Sequence, residues 1–135
     1  IAPGEADVLL GFEPLETLRA LGYLKPGGLV LYSTEELPPL SVATGKAEGV
    51  DLDTVAAHVA RCTDRAFTLP AKSLGLQAGA VQAGNVALLG AYASMDESPV
   101  APKDLEATIT ATLKPKIADI NLRALELGVD ALANA

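Results

Sequence analysis

The stretch Ala6 to Thr34, ADVLLGFEPLETLRALGYLKPGGLVLYST, constrains the chain more than any other. Asp7 to Gly11 is a short apolar run without polar alternation, the pattern of a strand covered on both faces as in a parallel sheet. Glu13 and Pro14 then open a helix. Proline at the first helical position gives up an amide hydrogen that would lack a partner anyway, and an acid beside it suits the helix dipole. Leu15, Leu18, Leu21 and Leu24 recur at helical spacing as the expected apolar stripe. Lys25-Pro26-Gly27-Gly28 is expected to stop the helix in a tight reversal, and Leu29 to Tyr32 to enter as a second buried strand. A crossover of this length makes the two strands parallel and the connection right-handed.

With 135 residues, 50% of them hydrophobic, the chain can form a single domain with its own core, although a parallel sheet of this kind usually takes a longer chain. It starts at Ile1 with almost no lead-in before the first strand, so a leading segment, with any phosphate-binding turn it carries, is expected to be missing. Ten basic against seventeen acidic residues, net charge −7, argue against nucleic acid as a partner, because phosphate backbones are bound by clustered Lys and Arg. The one cysteine, Cys62, excludes an internal disulfide and cannot by itself ligate an iron–sulfur cluster or a structural zinc. No apolar run approaches the roughly 20 residues of a membrane-spanning helix and no signal peptide is recognisable, so a cytoplasmic protein without membrane attachment is expected.

Further along, Ser33 to Gly49, with Pro38-Pro39, reads as a long loop suited to partner contact. Asp51 and Asp53 open a helix with Val55, Val59 and Cys62 as its stripe, and Arg65 to Leu69 is a third strand stopped by Pro70. Ala71 to Leu76 can start another helix, which Gly75, Gly79 and Gly84 are expected to interrupt. Asn85 reads as the cap of a strongly apolar helix, Val86 to Ser94, which must be buried and in which Gly90 permits another backbone to come close. Asp104 to Leu113 and Lys116 to Ala133 complete the chain as helices. The last carries Ile117, Ile120, Leu125 and Leu132 as its stripe, with Gly128 as a possible break.

The run Glu13-Pro14-Leu15-Glu16-Thr17-Leu18-Arg19 behind an Ala-Asp-Val-Leu-Leu strand, followed by Leu24-Lys25-Pro26-Gly27-Gly28, resembles the gamma-type subunit of 2-oxoacid:ferredoxin oxidoreductases. Gly84-Asn85-Val86-Ala87-Leu88-Leu89-Gly90-Ala91 resembles the family's apolar helix, and Asn121 to Gly128 its carboxy-terminal helix. The last segment is most similar to indolepyruvate oxidoreductase beta subunits, with pyruvate-type gamma subunits close behind. The family's glycine-rich first turn is not in this chain, and Gly75 to Ala83 departs from the family's pattern.

The resemblance implies an α/β fold of three layers, α/β/α, with a mainly parallel sheet and a helical carboxy-terminal end. It further implies a complex that oxidatively decarboxylates a 2-oxoacid such as pyruvate or indolepyruvate to an acyl-CoA and passes electrons to ferredoxin. Thiamine diphosphate, magnesium and the iron–sulfur clusters are then held by partner subunits, and this chain completes the assembly without binding a cofactor or supplying reactive groups.

Glu13, at a strand end where ligands gather in open parallel sheets, Thr34, at the next strand end, and Asn85 are the candidates for interface or ligand contact. Each has a plainer explanation: a dipole-favouring acid, a turn hydroxyl and a helix cap. His58 is expected to be a solvated or edge histidine and Cys62 a small apolar filler. No catalytic or metal-binding set can be assembled. Two other readings compete. One is an S-adenosylmethionine-dependent methyltransferase, whose late strand often follows a Leu-Lys-Pro-Gly-Gly turn but whose end is not helical. The other is a non-catalytic nucleotide- or partner-binding α/β domain, since a wound sheet alone specifies no chemistry.

Overall fold

A computed structural model describes residues 1–36 and 51–135, so most of the expected Ser33 to Gly49 loop lies outside the described residues. Two compact units are distinguished, residues 1–67 and 68–135.

In the first unit, β1 (Ala6–Gly11) leads into α1 (Pro14–Ala20), a short 3-10 turn (Leu21–Tyr23) and β2 (Leu24–Ser33). After the undescribed residues come α2 (Leu52–Cys62) and β3 (Ala66–Leu69), within which the unit boundary falls. The strands lie in the order β1-β2-β3. β1 and β2 are parallel, with Leu9 opposite Val30 and Gly11 opposite Tyr32. Strands laid down in consecutive order by crossovers of one hand must carry their connecting helices on one face. Accordingly Val30 and Tyr32 share a core cluster with Leu21, Leu24, Val55 and Val59, and Leu9, Leu18 and Cys62 pack at its margin. The alternate residues of β2, Leu29 and Leu31, are 1% and 0% exposed, so the strand is covered on both faces. That is the physical reason its sequence reads as an unbroken apolar run. The class is α/β, as expected.

Two local expectations are corrected. Lys25 to Gly28 does not close α1: the helix ends at Ala20, and β2 already begins at Leu24. The register passes from Ala6–Leu24 to Val8–Leu29, so the Lys25–Gly28 stretch bulges out of the ladder. Pro26 has no N–H to give the ladder, and Gly27 adopts φ +72°, in the left-handed region. The bulge is tied down where Lys25 Nζ donates to Asp7 Oδ1 at 2.7 Å. The second correction concerns the stripe of α1: Leu21 and Leu24 are buried in the core as expected, but they lie beyond the helix, within which the buried residues are Pro14 and Thr17 while Leu15 and Leu18 are half-buried. A helix of 7 residues has room for little more than one inward contact row, and Thr17 lies on it.

The hydrogen bond from Lys25, together with its charge, holds the exposed Asp7 carboxyl below its ordinary value. A depressed carboxylate pKa contributes stability above its unfolded value, which is lost as pH falls through the folded one. With Lys25→Met the Asp7 carboxyl is expected to titrate at higher pH, read by NMR of its side-chain carbon. An unmoved titration midpoint contradicts the bridge.

Asp51 caps α2 as expected, accepting from the Asp53 amide at 3.0 Å and the Thr54 hydroxyl at 2.9 Å. At the other end of α2, the buried Thr63 hydroxyl donates to the Gly28 carbonyl at 2.5 Å and accepts from the Arg65 amide at 3.0 Å. One side chain thus fastens the β2 bulge to the entrance of β3, where Val30 donates to the Arg65 carbonyl at 2.9 Å. Thr63→Val keeps the shape but strands both backbone groups. It is expected to cost about 1–3 kcal/mol, the penalty for unsatisfied buried polar groups, measured by urea unfolding.

The second unit is helical: α3 (Ala71–Ala78), a 3-10 turn (Val81–Ala83), α4 (Gly84–Ala93), α5 (Pro102–Thr112) and α6 (Pro115–Ala133). Of the three glycines expected to interrupt this region, only Gly79 does so, ending α3 with φ +129°. Gly75 lies inside α3 and Gly84 starts α4, each because it faces backbone: a Cβ at Gly75 would stand 2.5 Å from the Gly84 nitrogen. α4 is buried as expected through Ala87, Leu88, Gly90, Ala91 and Ala93. A Cβ at Gly90 would meet the Leu125 carbonyl oxygen at 2.8 Å, the close approach read from the sequence. Gly128, expected as a possible break, leaves α6 continuous and fits against the Ala87 carbonyl. The inward residues of α6 are Ala118, Ala124, Leu125 and Gly128, and Ile117 of the expected stripe is 48% exposed. Leu125 of the expected stripe is buried, and Ile120 packs at the margin of the Ala83, Ala87 and Ala124 cluster; small residues take the remaining inward positions, where α4 approaches too closely for a larger side chain.

Candidate functional site

Parallel strands end on the same side of a sheet, so the residues after β1 and after β2 emerge together at its carboxyl edge, the usual ligand-facing edge of open α/β sheets. Glu13 and Thr34 are brought to this edge by the pairing of Gly11 with Tyr32. Asn85 belongs to the other unit, where it is exposed in the first turn of α4. Nor is Asn85 the helix cap. The capping position is Ala83, which makes no side-chain cap, because the 3-10 turn runs directly into the helix and starts it two residues early.

The turn between β1 and α1 is held by backbone and by one side chain. Glu13 occupies the capping position of α1 in an extended conformation without capping it by its side chain. Its carbonyl accepts two hydrogen bonds from Thr17, from the hydroxyl at 2.7 Å and from the amide at 3.0 Å. Thr17 is fully buried, and Gly11 makes room for it: a Cβ at Gly11 would come within 2.8 Å of the Thr17 Cβ and 2.9 Å of the Tyr32 Cβ. Phe12, carried on this pedestal, remains 42% exposed. After β2 the buried Ser33 hydroxyl accepts from the Glu35 amide at 3.1 Å and turns the chain at Thr34. The edge therefore gathers Glu13, Thr34 and the exposed Phe12 beside the buried hydroxyls of Thr17 and Ser33.

Gly11 and Thr17 were missed as site-shaping residues by sequence reasoning. The available signal was a glycine ending an apolar strand, with a threonine four residues after Glu13, where its hydroxyl can bond back to the carbonyl of residue i−4. His58 uses Nδ1 against the Thr54 carbonyl of its own helix at 2.8 Å. Cys62 is half-buried at the margin of the core, in keeping with an apolar filler. Among the described residues, no group of three or more His, Cys, Asp or Glu side chains is placed to hold a metal ion. Among them also, no helix is long and apolar enough to cross a membrane.

Comparison with known proteins adds three findings. The family model described as pyruvate ferredoxin/flavodoxin oxidoreductase matches residues 1–131. The chain is 37% identical over 132 residues to the indolepyruvate oxidoreductase subunit IorB of Thermococcus kodakarensis, covering 97% of this chain and 65% of that protein. It is 36% identical to the subunit of the same name from Pyrococcus horikoshii, again with 97% and 65% covered. The chain thus spans a little under two thirds of the length of these curated relatives. A solved structure, the keto/oxoacid ferredoxin oxidoreductase gamma subunit from Geobacter sulfurreducens, is similar in fold. Its TM-score is 0.67 at 18% identity, with 98% of this chain and 67% of that chain covered. A strand–helix–strand opening, a buried glycine-bearing helix crossed by a second one, and a family match over nearly every residue lead to one conclusion: the chain belongs to the pyruvate ferredoxin/flavodoxin oxidoreductase family.

Proposed function

We propose that the chain is a single gamma-type domain of a 2-oxoacid:ferredoxin oxidoreductase of the indolepyruvate kind. The complex oxidatively decarboxylates an arylpyruvate-like or related 2-oxoacid to its acyl-CoA and passes the electrons to ferredoxin. The observation that carries this reading is the likeness to indolepyruvate oxidoreductase subunits along 97% of the chain, which also weighs against the methyltransferase alternative. Thiamine diphosphate with its magnesium and the iron–sulfur clusters belong, in this reading, to the partner subunits. The donor chemistry supports that division, since one thiol cannot hold a cluster. The domain acts by completing the assembly in the cytoplasm, with the carboxyl edge around Phe12, Glu13 and Thr34 as its contact surface toward substrate, coenzyme A or the thiamine-binding subunit.

The test is turnover. Indolepyruvate- and CoA-dependent reduction of ferredoxin is expected to be absent with the purified chain and to appear when the full-length protein is combined with its thiamine-carrying partner. Oxidation of a 2-oxoacid by the chain alone, or a partner equally active without it, defeats the proposal.

A further inference from the structure

We infer that β1 is an interior strand: a further strand of the same polypeptide, supplied by residues outside the 135 of this chain, pairs in parallel with its free edge and completes the ligand-facing edge of the sheet. Among the described residues the sheet ends at β1, which has β2 as its neighbour. Val8, Leu9 and Leu10 are all half-buried, whereas the residues opposite them, Leu29, Val30 and Leu31, are 1%, 0% and 0% exposed. Successive side chains of a strand point to opposite faces. An uncovered face would therefore expose every second residue; exposure of three in a row marks an open side.

The two edges of the sheet are built differently. β3 has 4 residues, three of them exposed, with Arg65 before it and Pro70 behind it, the short and guarded form that solvent-facing edge strands take. β1 is unguarded. Its register with β2 is regular from Val8 to Gly11, that stretch holds neither charge nor proline, and Asp7 is bonded to Lys25 of β2. Such a bare apolar edge is a template for another strand.

Length and charge decide the occupant. The indolepyruvate oxidoreductase subunits that match 97% of this chain are covered by it over 65% of their own length, so about a third of such a polypeptide, ample for a strand and its crossover, lies outside it. A second copy would bring the same net charge of −7 and be repelled. The direction follows from β1 and β2 being parallel and from the unbroken apolar run, the pattern of all-parallel sheets. A parallel newcomer ends on the same side as β1, so the loop after it emerges beside Gly11, Phe12 and Glu13. The carboxyl edge of these 135 residues thus lacks one wall, and Phe12, 42% exposed, follows the strand that this wall would flank.

The inference rests on strand pairing and family membership, not on the proposed reaction, and its test is amide hydrogen exchange read by NMR rather than turnover. In the full-length protein every amide from Val8 to Gly11 is expected to be protected, including the alternate ones that point away from β2. In the 135-residue chain those alternate amides should exchange at least about 100-fold faster, as open backbone does. Outward amides that exchange freely in the full-length protein overturn the inference, whether or not the shorter chain folds. So does protection that is already complete in the shorter chain, that appears there only as its concentration rises, or that appears in the full-length protein only when another subunit is added. Hα–Hα contacts across the outer edge of β1, the mark of an antiparallel pair, overturn the parallel assignment.

Discussion

Gly128→Ala is expected to lower the stability of the helical unit by about 3 kcal/mol, the upper end of what overpacking costs, and its melting temperature by roughly 10 °C. The added methyl would fall on the Ala87 carbonyl, 2.5 Å from its carbon and 2.8 Å from the Ala87 Cα. A side chain in that position could rotate away; a helix backbone cannot. The crossing is reciprocal, for a Cβ at Gly90 of α4 would meet Leu125 of α6, 2.8 Å from its carbonyl oxygen, just as one at Gly128 of α6 would meet Ala87 of α4, more closely still. Relief at one glycine by sliding the helices therefore tightens the other. The usual gain of about 1 kcal/mol from replacing a helical glycine by alanine is outweighed. Gly22→Ala is the control, because a Cβ there meets nothing within 4 Å. Thermal melts of the two variants decide the matter: equal melting temperatures would falsify the close-crossing account.

The same crossing shows what the sequence disclosed and what it withheld. Gly90 was legible as a point of close approach because it interrupts an otherwise apolar helix, where a glycine must have a packing reason. Gly128 reads as a possible break, because a glycine in a helix with a polar face has two local explanations and only the partner helix chooses between them. Spacing places Ile117 inward, yet periodicity gives the direction of a side chain and not how far the neighbouring element extends. The Lys25 to Gly28 run is recognisable as irregular, but its local pattern equally suits the end of a helix. Whether such a run turns a helix or bulges a strand depends on pairing with Asp7 and Val8, which lies outside any local window. Of the candidate site residues, Glu13 and Thr34 could be put on one edge because parallel strands require it. Asn85 looked like a cap because the 3-10 turn that starts α4 early leaves no local mark in the sequence.

Gly11→Ala is expected to have the second largest effect, a loss of about 2–3 kcal/mol from the first unit, since it overpacks a site enclosed on both sides. The new methyl would press on the Thr17 side chain from α1 and on the Tyr32 Cβ, 2.9 Å away on β2. Neither neighbour can yield by rotation alone. Thr17 is fully buried with its hydroxyl on the Glu13 carbonyl, and Tyr32 belongs to the core cluster of Leu24, Val30, Val55 and Val59. The first turn of α1 must lift instead, releasing the Glu13 carbonyl and the support beneath Phe12. Thr17→Ala removes the nearest atom but leaves its Cβ, 2.8 Å from the added methyl, so the pair Gly11→Ala with Thr17→Ala should recover only part of the loss. Urea denaturation of the two single variants and the double variant measures the coupling. Strict additivity would show that Gly11 and Thr17 do not touch. If the proposed function is correct, the lifted turn also reaches the assembled enzyme: with Gly11→Ala, oxoacid-dependent ferredoxin reduction should fall further than the remaining folded fraction accounts for, because the edge presenting Phe12, Glu13 and Thr34 is displaced even in molecules that fold.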